Sequence, residues 1–161
     1  MPFMRYKGFS LIEVLAATML IGLAIVSLLV ASRSYTDVNG SAAEMSTAEF
    51  LTEQIRELTT MLDVIDAQSG TDYFGAEESN VADYDDVDDF DGANFSPPIA
   101  IDRAPLSVFS AYSQSITVEN VNASDFEEVV ADHASNFVRI SVKIYLNSKE
   151  ISSASWLRAR Y

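Results

Sequence analysis

The sequence predicts an α+β protein in which a long N-terminal helix packs on a small antiparallel β-sheet. Two patterns support this prediction. Residues 9–32 form an apolar run, and apolar residues then recur at helical spacing as far as about residue 66. The C-terminal part of the chain instead alternates apolar and polar residues with the period of a β-strand. A helical segment followed by a run of strands is typical of an α+β fold.

The composition restricts the partners and the chemistry of the chain. Its 161 residues suit one domain with an attached element, and its formal net charge is -14. Because no basic stripe is present to neutralise phosphates, the sequence argues against nucleic-acid binding. The chain has no cysteine, which excludes disulfides and thiolate chemistry. It also has no nucleophile elbow and no phosphate-binding glycine loop, so we predict that it is not an enzyme.

The apolar run at residues 9–32 predicts a transmembrane helix. It contains 24 residues whose only charge is Glu13, and a helix needs about 20 residues to cross a bilayer core. Arg5 and Lys7 precede the run, so we expect the N-terminal side of the helix to be cytoplasmic and the C-terminal domain to lie on the other side of the membrane. An acidic side chain in lipid is costly and indicates a functional partner, unless Glu13 lies near the interface and reaches water.

The residues around Glu13 form a specific motif. The sequence Lys-Gly-Phe-Ser-Leu-Ile-Glu-Val-Leu at residues 7–15 resembles the prepilin processing motif of type IV pilins and type II secretion pseudopilins. The resemblance implies that residues 1–8 are a leader, that a prepilin peptidase cleaves after Gly8, and that the same enzyme methylates the amine of Phe9. It also implies two further partners, namely other pilin or pseudopilin subunits and an inner-membrane assembly platform. The location implied is the bacterial inner membrane, with the C-terminal domain in the periplasm, and then a pilus or pseudopilus filament.

Glu13 has a physical role to play in such a chain. After cleavage, the amine of Phe9 is a cation in apolar surroundings, and Glu13 is an anion four residues further on. Pairing of the two charges, within one subunit or between neighbours, relieves the cost of burying each of them. We therefore expect Glu13 to be an assembly residue.

Residues 33–161 are predicted to form a periplasmic head that begins with an amphipathic helix at about 42–66. Ser41–Glu44 has the pattern of a capping box at its start. Asn39-Gly40 either kinks or interrupts the helix at residues 39–41, or is tolerated within one continuous helix. The apolar stripe of this helix is expected to cover the sheet. It comprises Ala48, Leu51, Ile55, Leu58, Leu62 and Ile65.

The sheet is predicted to occupy about 106–161. Ser113–Asn122 and Asn136–Asn147 have the alternation of strands, and Glu150–Arg160 is the strand that returns after a turn. Between the first two strands, Ser124–Ala134 is predicted as a short helix, because Ser124 suits an N-cap and an acidic residue follows three positions later.

The segment at about 67–105 is predicted as a long acidic loop. Between Arg56 and Arg103 there are thirteen acidic residues and no basic residue. Clusters of carboxylate oxygens bind Ca²⁺, so the loop is a candidate calcium site, with a solvated acidic loop as the alternative. The segment Asp85–Gly92 also resembles minor pilins of the mannose-sensitive haemagglutinin type. The candidate ligands are six aspartates within ten residues: Asp83, Asp85, Asp86, Asp88, Asp89 and Asp91.

Three functions are consistent with these patterns. The sequence favours a minor pilin, because the membrane helix lacks the proline, and the chain lacks the cysteines, of many major pilins. A minor pseudopilin of a type II secretion system would have the same precursor chemistry. A monomeric periplasmic binding or adhesive domain, held by one membrane helix, would need neither cleavage after Gly8 nor Glu13.

Overall fold

The computed structural model describes residues 8–64 and 74–160, and in these ranges the fold consists of one long helix, five strands and two short 3-10 helices. The predicted α+β class is confirmed, since the N-terminal helix packs on a small antiparallel sheet. Arg5 and Lys7 of the predicted leader and Ile65 of the predicted stripe lie outside the described residues. The elements are α1 (Leu11–Met61), β1 (Asn94–Phe95), β2 (Tyr112–Asn122), β3 (Asp125–Val129), β4 (Phe137–Leu146) and β5 (Lys149–Ala159).

Helix α1 is 51 residues long and runs through Asn39-Gly40 without interruption. Of the two alternatives for residues 39–41, the continuous helix is therefore the one observed, and Ser41–Glu44 does not cap a second helix. A glycine inside a helix costs about 1 kcal/mol relative to alanine, whereas a second helix would need its own unfavourable nucleus. The helix ends at Met61 rather than at about residue 66.

The chain divides into two compact units, Met1–Ala43 and Glu44–Tyr161. In the first unit, every described residue is exposed within the single chain, including the apolar side chains from Phe9 to Val38. This part of α1 is long and apolar enough to cross a membrane. The structure thus confirms that the apolar run is a candidate membrane span.

The core of the second unit lies between the C-terminal part of α1 and the sheet. The predicted stripe of the helix is its buried face, and Leu62 packs against the same cluster. Strands β2 and β4 contribute alternate residues, as expected for a sheet with one covered face. The buried apolar residues that these elements contribute to the core cluster are Ala48, Leu51, Ile55, Leu58, Ile116, Val118, Val138, Ile140, Val142 and Ile144.

The sheet has the order β1-β2-β4-β5, all of its pairs are antiparallel, and β3 pairs with the end of β2. The predicted strands at Ser113–Asn122, Asn136–Asn147 and Glu150–Arg160 correspond to β2, β4 and β5 within about two residues, an ordinary boundary difference. Asn147 and Ser148 form the turn between β4 and β5 with φ values of 50° and 67°. Two consecutive residues with positive φ are typical of a tight hairpin turn.

The predicted short helix at Ser124–Ala134 is wrong, because the segment begins with strand β3 instead. Asn122 Oδ1 accepts a hydrogen bond from the Ser124 N–H at 2.9 Å, and Asp125 Oδ1 accepts one from the Glu127 N–H at 3.1 Å. Such local bonds from Asn and Asp side chains stabilise turns in competition with a helix. They reverse the chain so that β3 pairs with β2.

The part of the acidic loop that the structure describes is packed into the second unit rather than free of it. Val87 and Phe90 are fully buried in the core, and β1 pairs with β2. The buried Gln114 of β2 joins three elements: its Oε1 accepts from the Ile99 N–H at 2.8 Å, and its Nε2 donates to the Leu51 carbonyl oxygen at 2.9 Å. The loop is therefore held against both the helix and the sheet.

Candidate functional site

The predicted cleavage position is accessible. Gly8 and Phe9 are exposed and lie in irregular chain directly before α1. Nothing lies within 4 Å of the position that a Cβ on Gly8 would occupy, and the Phe9 side chain is 85% exposed. The peptide bond between the two residues can therefore be reached by another molecule.

Glu13 lies in the first turn of α1, where it forms a reciprocal pair with Ser10. The Ser10 N–H donates to Glu13 Oε2 at 3.3 Å, and the Glu13 N–H donates to Ser10 Oγ at 3.3 Å. This arrangement is a capping box, which satisfies N–H groups that have no partner within the helix. The Ser-x-x-Glu pattern before an apolar run is the sequence signal for this cap, but the predicted caps lie only at Ser41 and Ser124.

The capping box also places the Glu13 carboxylate next to the predicted cleavage point. Its Oε2 contacts the N–H of Ser10, the residue that follows Phe9. An amine released on Phe9 would therefore lie about one residue from an oxygen of Glu13. Glu13 thus has a contact of its own in the described chain, in addition to the charge pairing expected from the sequence.

The six aspartates of the acidic loop separate into two environments. Asp86, Asp88 and Asp89 are each 1% exposed, whereas the other three are exposed. The buried residues flank Val87 and Phe90, whose side chains enter the core. A segment anchored by those two apolar residues carries its acidic neighbours inward with it.

Two groups of carboxylates in this region are close enough to share an ion, and Asp89 belongs to both. One group is Asp85, Asp86 and Asp89, and the other is Glu77, Glu78 and Asp89; within each group the oxygens lie within 4.8 Å of one another. Asp83, Asp88 and Asp91 belong to neither group. Glu77 and Glu78 are absent from the predicted ligands, because they lie outside the ten-residue aspartate run and only the folded chain brings them to it.

Backbone N–H groups satisfy some oxygens of this cluster and leave others without a partner. Asp89 Oδ2 accepts from the Asp85 N–H at 2.9 Å, and Asp86 Oδ1 accepts from the Asp89 N–H at 3.1 Å. Across the described ranges 8–64 and 74–160, Asp89 Oδ1, Asp88 Oδ1 and Glu78 Oε2 are buried atoms with no hydrogen-bond partner. Buried polar atoms of this kind usually bind water or an ion.

Basic side chains do not neutralise the cluster in the part of the chain that the structure describes, where no ion pair includes any of its carboxylates. Arg103 reaches the same loop, but its Nη1 donates to the Ala82 carbonyl oxygen at 2.7 Å. Asp91 also serves another purpose, since its Oδ1 accepts from the Val118 N–H of β2 at 2.9 Å.

The ionisation of the cluster reflects this concentration of acids. Burial, together with a hydrogen bond to the Asp88 carboxyl, raises the pKa of Asp86 to about 8. The close approach of the Asp89 carboxyl, together with burial and the charge of Asp89, raises the pKa of Glu78 to about 7. Burial likewise raises the pKa of Asp88, and burial with the charges of Asp89 and Glu78 raises the pKa of the Tyr84 hydroxyl. Between the ordinary carboxyl range and these raised pKa values, Asp86 and Glu78 therefore retain protons that free carboxylates would release.

Comparison with known proteins adds no assignment to this geometry. No protein-family model matches the sequence, and no curated protein or solved structure matches the chain.

Proposed function

We propose that this chain is a minor pilin, made as a membrane-inserted precursor, cleaved after Gly8 and assembled into a type IV pilus through α1. The observation that carries the proposal is an accessible Gly8–Phe9 bond directly before a capped helix whose apolar side chains are exposed within the single chain. The prepilin-type motif at residues 7–15 supports the same conclusion.

The exposed apolar surface of α1 needs an environment other than water. Large side chains such as Leu11, Ile12 and Met19 are at least 70% exposed, and monomeric soluble proteins rarely expose large continuous apolar patches. Lipid would cover this surface in the precursor, and the helices of neighbouring subunits would cover it in a filament. Both environments are part of the proposed route.

Glu13 gives the assembled helices a fixed register in this proposal. Its carboxylate would pair with the methylated amine of Phe9, in the same subunit or in a neighbour. A neighbouring helix that slipped along the axis would leave both charges unpaired in apolar surroundings, which is costly. The charge pair would therefore favour one axial offset between subunits.

The first test is cleavage by a prepilin peptidase coexpressed with the full chain. We expect mass spectrometry to show a mature chain that begins at Phe9 and carries one additional methyl group. Gly8→Asp should block processing, because the new side chain obstructs close approach of a protease to the backbone. Gly40→Asp is the matched control: it makes the same change at another exposed glycine of open surroundings, and it should be processed like the wild type.

The second test is the location of the mature chain. Recovery of processed subunits from sheared surface fibres would support the minor-pilin proposal. Processed subunits that remain with the cell envelope, together with a secretion defect when the chain is deleted, would instead indicate a minor pseudopilin. A functional protein that keeps residues 1–8 would overturn both assignments and favour an anchored periplasmic domain.

A further inference from the structure

We propose that the carboxylates around Asp89 form a binding site for one calcium ion, which fastens the acidic loop to the end of α1. The ligands would come from Asp85, Asp86 and Asp89 on one side and from Glu77 and Glu78 on the other. This inference does not depend on the filament role, since it concerns only the second unit of the chain.

The burial of Asp89 separates this cluster from an ordinary acidic surface. Asp89 is 1% exposed, and its Oδ1 has no hydrogen-bond partner among the residues of the described chain. Its other oxygen is already satisfied by backbone N–H groups of Asp85 and Asp86. The free oxygen belongs to a carboxylate common to both groups, and Glu78 Oε2, in the second group, is likewise buried without a partner.

The distances and the donor set favour calcium over other metals. Calcium binds six to eight oxygens at about 2.3–2.6 Å, so two ligands on opposite sides of the ion lie up to about 5 Å apart. The oxygens within each group lie within 4.8 Å of one another, which fits a shared coordination sphere. The donors are all carboxylates, whereas zinc and copper sites in proteins generally include His or Cys.

The site would act on a contact between the loop and the helix end. The Val87 N–H donates to the Asp63 carbonyl oxygen at 2.9 Å, so that the backbones of Asp63 and Asp86 form an isolated parallel β-bridge. Asp86 is itself a proposed ligand. Asp63 lies two residues beyond the end of α1. An ion held by Asp86 and Asp89 would therefore hold this contact in place and offset the repulsion among the buried carboxylates.

The experiment uses the full chain in detergent micelles after removal of divalent ions with a chelator. Isothermal titration with CaCl₂ should show one site per chain, with a dissociation constant of about 1 mM or tighter, as extracellular calcium modules have. The same addition should raise the melting temperature. MgCl₂ should bind at least tenfold more weakly, because magnesium demands stricter octahedral geometry.

Two variants with the same change of charge locate the site. Asp89→Asn should weaken calcium binding at least tenfold, whereas Asp83→Asn should bind like the wild type, because Asp83 is exposed and belongs to neither carboxylate group. If Asp89→Asn does not fold, Asp85→Asn replaces it: Asp85 is an exposed residue of the proposed site, and its loss should weaken binding about tenfold.

A terbium measurement tests the position of the ion in the wild-type chain. Tyr84 lies next to the cluster, since it directly precedes Asp85 and its ring packs against Phe90, the residue after Asp89, with 5.0 Å between the ring centroids. Terbium bound in place of calcium should therefore emit light when tyrosine is excited, and calcium should displace it. Tyr84→Phe should lose most of this sensitised emission and still bind calcium.

Three results would overturn the proposal. The first is that calcium does not bind the wild type saturably at concentrations up to about 5 mM, which is well above the dissociation constants of the weakest extracellular calcium modules. The second is equal weakening by Asp83→Asn and by the Asp89 or Asp85 variant, which would indicate diffuse attraction to a chain of charge -14. The third is binding of magnesium as tight as that of calcium.

Discussion

Replacement of Glu13 can separate its two proposed roles, because glutamine and alanine remove different parts of the side chain's function. Glutamine at this position of a capping box can still accept the hydrogen bond from the Ser10 N–H. It cannot pair electrostatically with an amine. Alanine removes both interactions. The difference between the two variants therefore reports the hydrogen bond, and the difference between wild type and glutamine reports the charge.

The structure and the proposed environment set the expected magnitudes. Loss of a helix cap costs about 1 kcal/mol, so the capping box accounts for roughly a fivefold effect at most. Removal of one partner from a buried ion pair costs about 3–5 kcal/mol. A loss of about 3 kcal/mol corresponds to a decrease of about a hundredfold in assembly, given that each 1.4 kcal/mol is a factor of ten. Glu13→Gln should therefore lose most of the assembly, and Glu13→Ala should lose only slightly more.

The assay is the fraction of processed subunits recovered in sheared fibres, relative to the fraction in the membrane, in cells that express each variant alone. Membrane insertion should be unchanged in both variants, because the apolar run is intact. Glu44→Gln, the same change at an exposed residue of α1 outside the apolar run, is the control. If Glu13→Gln assembles like the wild type while Glu13→Ala does not, Glu13 acts through the capping box and the proposed charge pairing is refuted.

Two further predictions concern the stability of the second unit and use chemical unfolding with calcium present. Gln114→Leu should lower the free energy of unfolding by about 3 kcal/mol, because it leaves the buried N–H and C=O of Ile99 without their side-chain partner. The control, Gln54→Leu, removes a single partly buried hydrogen bond to the Ile101 N–H and should lower it by about 1 kcal/mol. Equal effects of the two would contradict the greater cost expected at Gln114. Arg158→Met should lower the free energy of unfolding by about 2 kcal/mol, since the guanidinium donates to the Thr59 and Leu62 carbonyl oxygens at the end of α1. The exposed control, Arg160→Met, should change the free energy of unfolding by less than about 0.5 kcal/mol. A loss in the control as large as that in Arg158→Met would refute the role given to Arg158.

The elements with a strong period could be predicted from the sequence, because burial on one face imposes that period. The stripe from Ala48 to Leu58 and the alternation in β4 each specify which side of the element is buried. Local patterns without such a period were less informative. Ser124 with Glu127 has the same spacing as Ser10 with Glu13, yet only the second pair caps a helix. A long apolar segment continues the chain as helix after Ser10, whereas turn-forming bonds and pairing with β2 follow Asn122.

The identity of the buried acids could not be predicted, because acidic runs usually remain in water and the ligands come from separate parts of the chain. One local signal did exist. Val87 and Phe90 are three residues apart, and a 3-10 turn brings such residues to the same side. The observed short 3-10 helix at Asp88–Phe90 does so. The proximity of Glu77 and Glu78 to Asp89, by contrast, depends on tertiary packing and cannot be predicted from residue spacing in the loop.

The packing of the acidic loop places three aspartates where an ionised side chain is costly. Full burial of the Val87 and Phe90 side chains contributes about 1.5–3 kcal/mol each. Removing even one carboxylate from water costs several kcal/mol when it stays ionised, and three aspartates are buried beside those anchors. Apolar contacts alone therefore do not outweigh the cost of three ionised carboxylates. Neutralisation by protons or by a cation would lower this cost. Asp86 holds a proton only while the pH stays below its pKa of about 8, and under the calcium proposal a bound ion would keep the loop packed above that pH.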